Sequence, residues 1–179
     1  LGDAFFVSRL SHANRTPNQR LQAIRILGHR KSAALASVLE AALADPEPRI
    51  RFAAVQAVHQ AKLAVLADKL LSHAAVEQER LTYYATWRAL RDLLPAEKLR
   101  PSLDDARPGI RGAASLASLD LQAMPAADLQ RLATDGDQTV RQVALLGLGQ
   151  IPATPAPPVT ATHALLSAPA TNIAAESKR

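Results

Sequence analysis

The chain has 179 residues with 21 Lys and Arg against 16 Asp and Glu, a net charge of +5, and 48% apolar residues of which few are aromatic. Its 37 Ala and 27 Leu favour helix, and the shortage of β-branched and aromatic residues argues against an all-β fold or a parallel sheet. Cysteine is absent, which excludes disulfides, thiolate metal sites, CxxC redox pairs and covalent haem attachment.

The first amphipathic stretch is Asp3–Leu10, and a basic helical stretch around Arg20 follows it. Further amphipathic segments are expected at Ala33–Leu43, Leu63–Leu71, Ala96–Leu103 and Ala126–Leu132. Between them lie helical stretches centred on Arg51, Arg80, Arg111 and Arg141. The five arginines are spaced by 31, 29, 31 and 30 residues. Such a period is the mark of a repeat architecture. The flanks agree with it. Six residues before each Arg stand Asn14, Asp45, Ala74, Asp105 and Asp135. Three residues before stand Pro17, Pro48 and Pro108, where a first helical turn tolerates a missing N–H. Three residues after stand Ala23, Ala54, Tyr83, Ala114 and Ala144. Seven after stand Leu27, Val58, Trp87, Ser118 and Leu148, on the same helical stripe. Each unit reads as a helical hairpin with one apolar side, which only stacking can bury.

The segments Asp45-Pro-Glu-Pro-Arg-Ile-Arg51, Asp105-Ala-Arg-Pro-Gly-Ile-Arg111 and Asp135-Gly-Asp-Gln-Thr-Val-Arg141 resemble the HEAT-repeat family, over roughly residues 3–150. The resemblance implies a right-handed, all-α solenoid of about five hairpins. It also implies a ladder of Asp and Arg between neighbouring units, here Arg20, Asp45, Arg51, Arg80, Asp105, Arg111, Asp135 and Arg141. Ala74 leaves the third unit without its acid. A narrower resemblance rests on Arg80-Leu-Thr-Tyr-Tyr-Ala-Thr-Trp-Arg-Ala-Leu90 and Arg107-Pro-Gly-Ile-Arg-Gly-Ala-Ala114. Those runs are similar to the HEAT segment of large exported bacterial proteins that also contain a β-propeller and a c-type haem domain. That likeness ranks an exported compartment ahead of the cytoplasm. The chain begins at Leu1 with no basic-then-apolar leader, so it reads as a processed chain or a piece of a longer one.

Residues 1–150 are thus expected to form the repeat domain. Residues 151–179, with four prolines between positions 152 and 158, are expected to form an extended linker or tail rich in Pro, Ala and Thr. No apolar run reaches the roughly 18 residues of a membrane span.

Catalytic chemistry finds no foothold. No His is followed by Glu, no HExxH occurs, and no phosphate-binding glycine loop or nucleophile elbow is present. No catalytic, cofactor or metal residue is therefore assigned. Tyr83, Tyr84 and Trp87 align with core positions of the other units and read as packing, with a stacking platform for a nucleotide as the alternative. From Ala4 to Leu39 there are six basic residues and no acid: Arg9, Arg15, Arg20, Arg25, Arg30 and Lys31. That stretch suits an acidic protein face or, as the alternative, phosphate.

By helical angle, the residues two and five after each Arg should face away from the core. They change from polar at Gln22 and Arg25 to apolar at Ala113, Leu116, Val143 and Leu146. A covering tail or a separate protein is expected over that apolar end. The reading is a non-catalytic scaffold for a protein partner or a neighbouring domain of a larger polypeptide. Candidate contact residues are Arg25, His29, Gln56, His59, Arg88, Leu116, Val143 and Leu146. The alternatives are a HEAT-like DNA-binding or base-excision protein and an accessory module of an exported redox enzyme.

Overall fold

A computed structural model describes residues 2–11, 16–31 and 35–150, with the side chains of residues 9 and 11 excepted. The expected tail at 151–179 lies outside the described residues, as do His12, Asn14, Arg15 and the start of the segment Ala33–Leu43. Ten α-helices lie among the described residues, with no strand: α1 (Asp3–Ser11), α2 (Pro17–Arg30), α3 (Leu35–Leu43), α4 (Pro48–Gln60), α5 (Ala67–Ala74), α6 (Arg80–Leu93), α7 (Ala96–Leu99), α8 (Pro108–Asp120), α9 (Ala126–Leu132) and α10 (Gln138–Gln150).

The even-numbered helices lie side by side in one row, each packed on the next. The shorter odd-numbered helices form a second layer against them. Two of these are tighter than expected. A 3-10 turn at Ala64–Leu66 precedes α5, and α7 gives way to a 3-10 helix at Arg100–Asp104. Pro101 explains the latter, because it has no N–H to donate back to the preceding turn.

Prolines open α2, α4 and α8. Thr16 caps α2 in a reciprocal capping box with Gln19, and Lys31 ends that helix in a left-handed conformation with φ 50°. The core lies between the layers. Ile24, Leu27, Leu39, Ile50, Val58, Leu70 and Leu90 belong to one continuous cluster. Leu103, Ala114, Leu129, Leu132, Val140 and Ala144 form a second at the C-terminal end. Each Leu, Ile or Val among them contributes about 1.5–3 kcal/mol on burial.

The hairpins are joined by rungs. Arg20 Nη1 pairs with Asp45 of the next unit. Arg51 donates from Nε and Nη2 to Glu77 at 2.7 and 2.9 Å. Arg111 does the same to Asp135 at 2.8 and 2.6 Å. The Nη1 of Arg51, Arg111 and Arg141 binds the backbone carbonyl six residues earlier, at 3.0, 2.8 and 2.7 Å. Each acid also accepts a backbone N–H two residues ahead: Glu47 on Asp45, Glu79 on Glu77, Arg107 on Asp105 and Asp137 on Asp135. One carboxylate therefore shapes its own interhelical turn and receives the arginine of the unit before.

The third unit departs from the sequence alignment. Its acid is Glu77, three residues before the start of α6, as Asp45 is before α4. The ladder position six residues after Glu77 is Tyr83, not Arg80. Arg80 is exposed and makes no ion pair among the described residues, so its assignment to the ladder is wrong. Tyr83 instead donates its hydroxyl hydrogen to Gly109 O at 2.8 Å, bridging α6 to α8. Burial, with the charge of Asp137 adding to it, pushes the Tyr83 phenol up to about 12, so it stays a donor. Two glycines of α8 stand at close approaches here. A Cβ on Gly109 would lie 2.3 Å from Ala74 O, and one on Gly112 would lie 2.8 Å from the Tyr83 oxygen. With no arginine arriving from α6, the Asp105 carboxylate turns to Arg107, at 2.9 and 3.0 Å, whose side chain and backbone N–H hold its pKa at about 2.

The Glu77 carboxyl is opposed by burial, yet the Arg51 guanidinium and the Glu79 N–H together keep it below the usual range. Asp135 is held low mainly by Arg111. Removing Arg111 strands a largely buried carboxylate. Arg111→Ala should therefore lower unfolding stability by roughly 1–3 kcal/mol, read as an earlier urea midpoint. An unchanged midpoint would mean that the rung does not hold the hairpins together.

Candidate docking groove on the second-helix row

In the corrected register the fifth residue after each ladder position is Arg25, Gln56, Arg88, Leu116 and Leu146. Arg25, Arg88 and Leu146 are exposed, and Gln56 and Leu116 are partly buried. The second residue after the ladder position is different. Ala53, Ala113 and Val143 are buried, Val143 to 8% exposure. Ala53 and Ala113 lie on helices with a row neighbour on each flank, and α10, which carries Val143, packs on α8 and α9. Val143 therefore cannot offer its side chain to a partner, and the expected apolar ridge reduces to Leu146 with Leu145 beside it.

Five of the eight candidate contact residues come together. A hollow of about 310 Å³ opens between α4 and α6, floored by Phe52 and Val55 and bordered by Gln56, His59, Tyr84 and Arg88. A second, of about 300 Å³, lies between α2 and α4 against Arg25, His29 and Gln56. A third, of about 190 Å³, shares Phe52 and Leu81 with the first and Arg25 with the second, and adds Arg49 and Glu79. The three form one groove. Leu116, Val143 and Leu146 do not line it.

Sequence reasoning missed its apolar lining. Leu81 is 64% exposed and Tyr84 is 49% exposed. The aromatic cluster is thus split. Trp87 is core, 9% exposed, and Tyr83 is partly buried, but Tyr84 faces out. Tyr84 and Trp87 meet in a T-shaped pair, with ring centroids 5.1 Å apart, and the Arg88 guanidinium lies over the Tyr84 ring at 5.6 Å. The signal was present in the start of α6. Placing Tyr83 at the ladder position sets Tyr84 opposite Phe52 and Leu81 opposite Arg49.

At one end of the groove His59 Nε2 lies 2.6 Å from Asp92. Arg91 binds Asp92 at 2.7 Å and also pairs with Asp120, so the far ends of α4, α6 and α8 are tied together. Arg91 first, and then His59, holds the Asp92 carboxyl at about 2. Of the basic N-terminal stretch, Arg20 is spent on Asp45 and Arg30 on Asp3, while Arg25 has no carboxylate among the described residues. The same holds for Arg49 and Arg88. A further hollow, about 370 Å³, lies elsewhere, against the Arg20–Asp45 rung. Its charged groups are already paired with each other. No group of His, Asp or Glu suited to a metal occurs among the described residues, and none of their helices is long and apolar enough to cross a membrane.

The architecture is that of a helical-repeat solenoid. Residues 4–91 match the family model for HEAT repeats, and they are HEAT repeats. The same hairpin continues through α10 with a further rung, so the described residues form an all-α solenoid of HEAT-like hairpins. No curated protein matches it. HEAT repeats commonly serve as protein-interaction scaffolds and are typically non-catalytic.

Trp87 sits directly behind Tyr84 and is the single tryptophan. Acrylamide should quench its fluorescence slowly in the native protein, and Tyr84→Ala should raise the quenching rate without unfolding the chain. Free quenching before any substitution would contradict a packed indole.

Proposed function

We propose that this protein is a non-catalytic scaffold that holds a protein partner along the groove formed by α2, α4 and α6. The observation that supports this reading is the pairing of two large exposed apolar side chains, Leu81 and Tyr84, with a groove whose rim carries Arg25, Arg49 and Arg88. Apolar side chains of that size in a concave setting with cations around them suit a ligand that is apolar at the centre and polar at the edge. Tyr and Arg are also the residue types that most often dominate binding energy when a partner desolvates them. Nothing in the groove resembles a nucleophile with its base, so positioning rather than chemistry is its use.

The order of the helices favours this role. Three rows of side chains from three separate hairpins meet in the groove, and the ladder fixes their spacing. A preformed surface loses little conformational freedom on binding.

A photo-reactive residue placed at Gln56 should crosslink to one protein partner in an extract of the native source. The same residue at Lys69, on the odd-numbered layer, should not. Tyr84→Ser should abolish the Gln56 adduct while leaving helicity intact. Equal adducts from both layers, or adducts to nucleic acid alone, would overturn the reading.

A further inference from the structure

Resting on that docking reading, the geometry points to the partner's chemistry: we infer that the groove takes an acidic protein segment that seats one large apolar side chain between Phe52, Leu81 and Tyr84 and sets carboxylates on Arg25 and Arg88.

Charge complementarity carries the inference. Arg25, Arg49 and Arg88 border the adjoining hollows, and none of them meets a carboxylate among the described residues. Two acids stand near the groove. Glu79 lies at one end, in the hollow shared with Arg49. Asp92 lies at the other end and is taken by Arg91 and His59. The stretch between them is cationic. A guanidinium offers a fixed fork of donors that a carboxylate fills with two parallel hydrogen bonds. Arg111 and Arg51 show that fork filled in this protein, on Asp135 and Glu77. Arg25 and Arg88 occupy the same helical row one hairpin apart from Gln56, with their forks open.

The apolar element is equally specific. The hollow between α4 and α6 is bounded by Phe52, Val55, Leu81 and Tyr84, and about 310 Å³ leaves ample room for a leucine or phenylalanine side chain. Tyr84 is held before any ligand arrives. Its ring contacts both the Trp87 ring and the guanidinium of Arg88. The same cation–π contact orders Arg88, so its N–H groups are already directed when a carboxylate approaches. A purely acidic ligand would leave the hollow wet, and a purely apolar one would leave two guanidinium forks unpaired. The acidic segment with one apolar anchor satisfies both.

The test uses the whole chain and a fluorescein-labelled peptide of Asp and Glu around a single central Leu. Fluorescence anisotropy should report binding that weakens as salt rises. Arg88→Glu and Arg25→Glu should each weaken it by about tenfold or more. Lys98→Glu, an exposed charge change outside the groove, should leave it nearly unchanged. Replacing the peptide's Leu by Ser, or its acids by Asn and Gln, should remove most of the affinity. Trp87 emission should shift on binding, and circular dichroism should confirm that each variant is folded. Peptide affinity that is indifferent to Arg25→Glu and Arg88→Glu overturns the inference. So does tight binding of a labelled oligothymidylate lost in those same variants while the peptide fails to bind. If no peptide binds but the Gln56 crosslink to a protein persists, the acidic segment is wrong and the docking groove stands.

Discussion

The structure depends on one arginine geometry. A single guanidinium spends Nη1 on the carbonyls that close its own hairpin and Nε with Nη2 on the carboxylate of the next. Burying such a pair is costly unless the remaining donors and lone pairs are satisfied. Here they are. The carboxylate accepts the arginine on one side and a backbone N–H on the other, and the arginine reaches two carbonyls besides. The rung therefore specifies the turn within a unit and the distance between units at once. A Lys could not do this, because it lacks the planar fork. Hairpins that cannot bury their apolar side alone are stacked in a fixed register, and every second helix presents the same helical positions to the same face.

The third unit shows how much the ladder can bend. Tyr83 replaces the guanidinium and reaches Gly109 O, and Gly112 leaves room for its hydroxyl. A buried hydroxyl is cheaper to desolvate than a charge, and the aromatic ring adds apolar contact with the core. The exchange has a consequence for the surface. Pro48 of α4 is matched by Arg80 at the start of α6, and Arg49 by Leu81. The two large apolar groups of the groove belong to the one unit whose ladder residue differs.

The hairpin array was legible in the sequence. Prolines in first turns, the stripe of Ala, Val and Leu, and the thirty-residue period each report a local constraint, and together they locate all five second helices. The register of the third unit was not legible from the arginines alone. Arg80 falls close to the expected spacing, but it is a helix-start residue, and residue type does not distinguish a rung from an exposed charge. Glu77 and Tyr83 hold the distinction, because six residues separate them as they separate Asp45 from Arg51. The site was legible in part. Arg25 and Gln56 were found at the fifth position after their arginines, whereas Arg88, named among the contact residues, takes that position only once Tyr83 replaces Arg80 in the register. Ala53, Ala113 and Val143 were misplaced because a helix angle treats each helix as isolated, whereas packed neighbours bury the second position in α4, α8 and α10. Tyr84 was hidden by the same slip of register that misread Arg80.

A double-mutant cycle on Arg51 and Glu77 tests the ladder most directly. The single substitutions to Ala and their combination would be compared by urea unfolding. The account predicts that the two do not add, with a coupling of about 0.5–3 kcal/mol. Losses that add to within a few tenths of a kcal/mol would contradict it, since the pair would then be two bystanders on a stack held together by its apolar core alone.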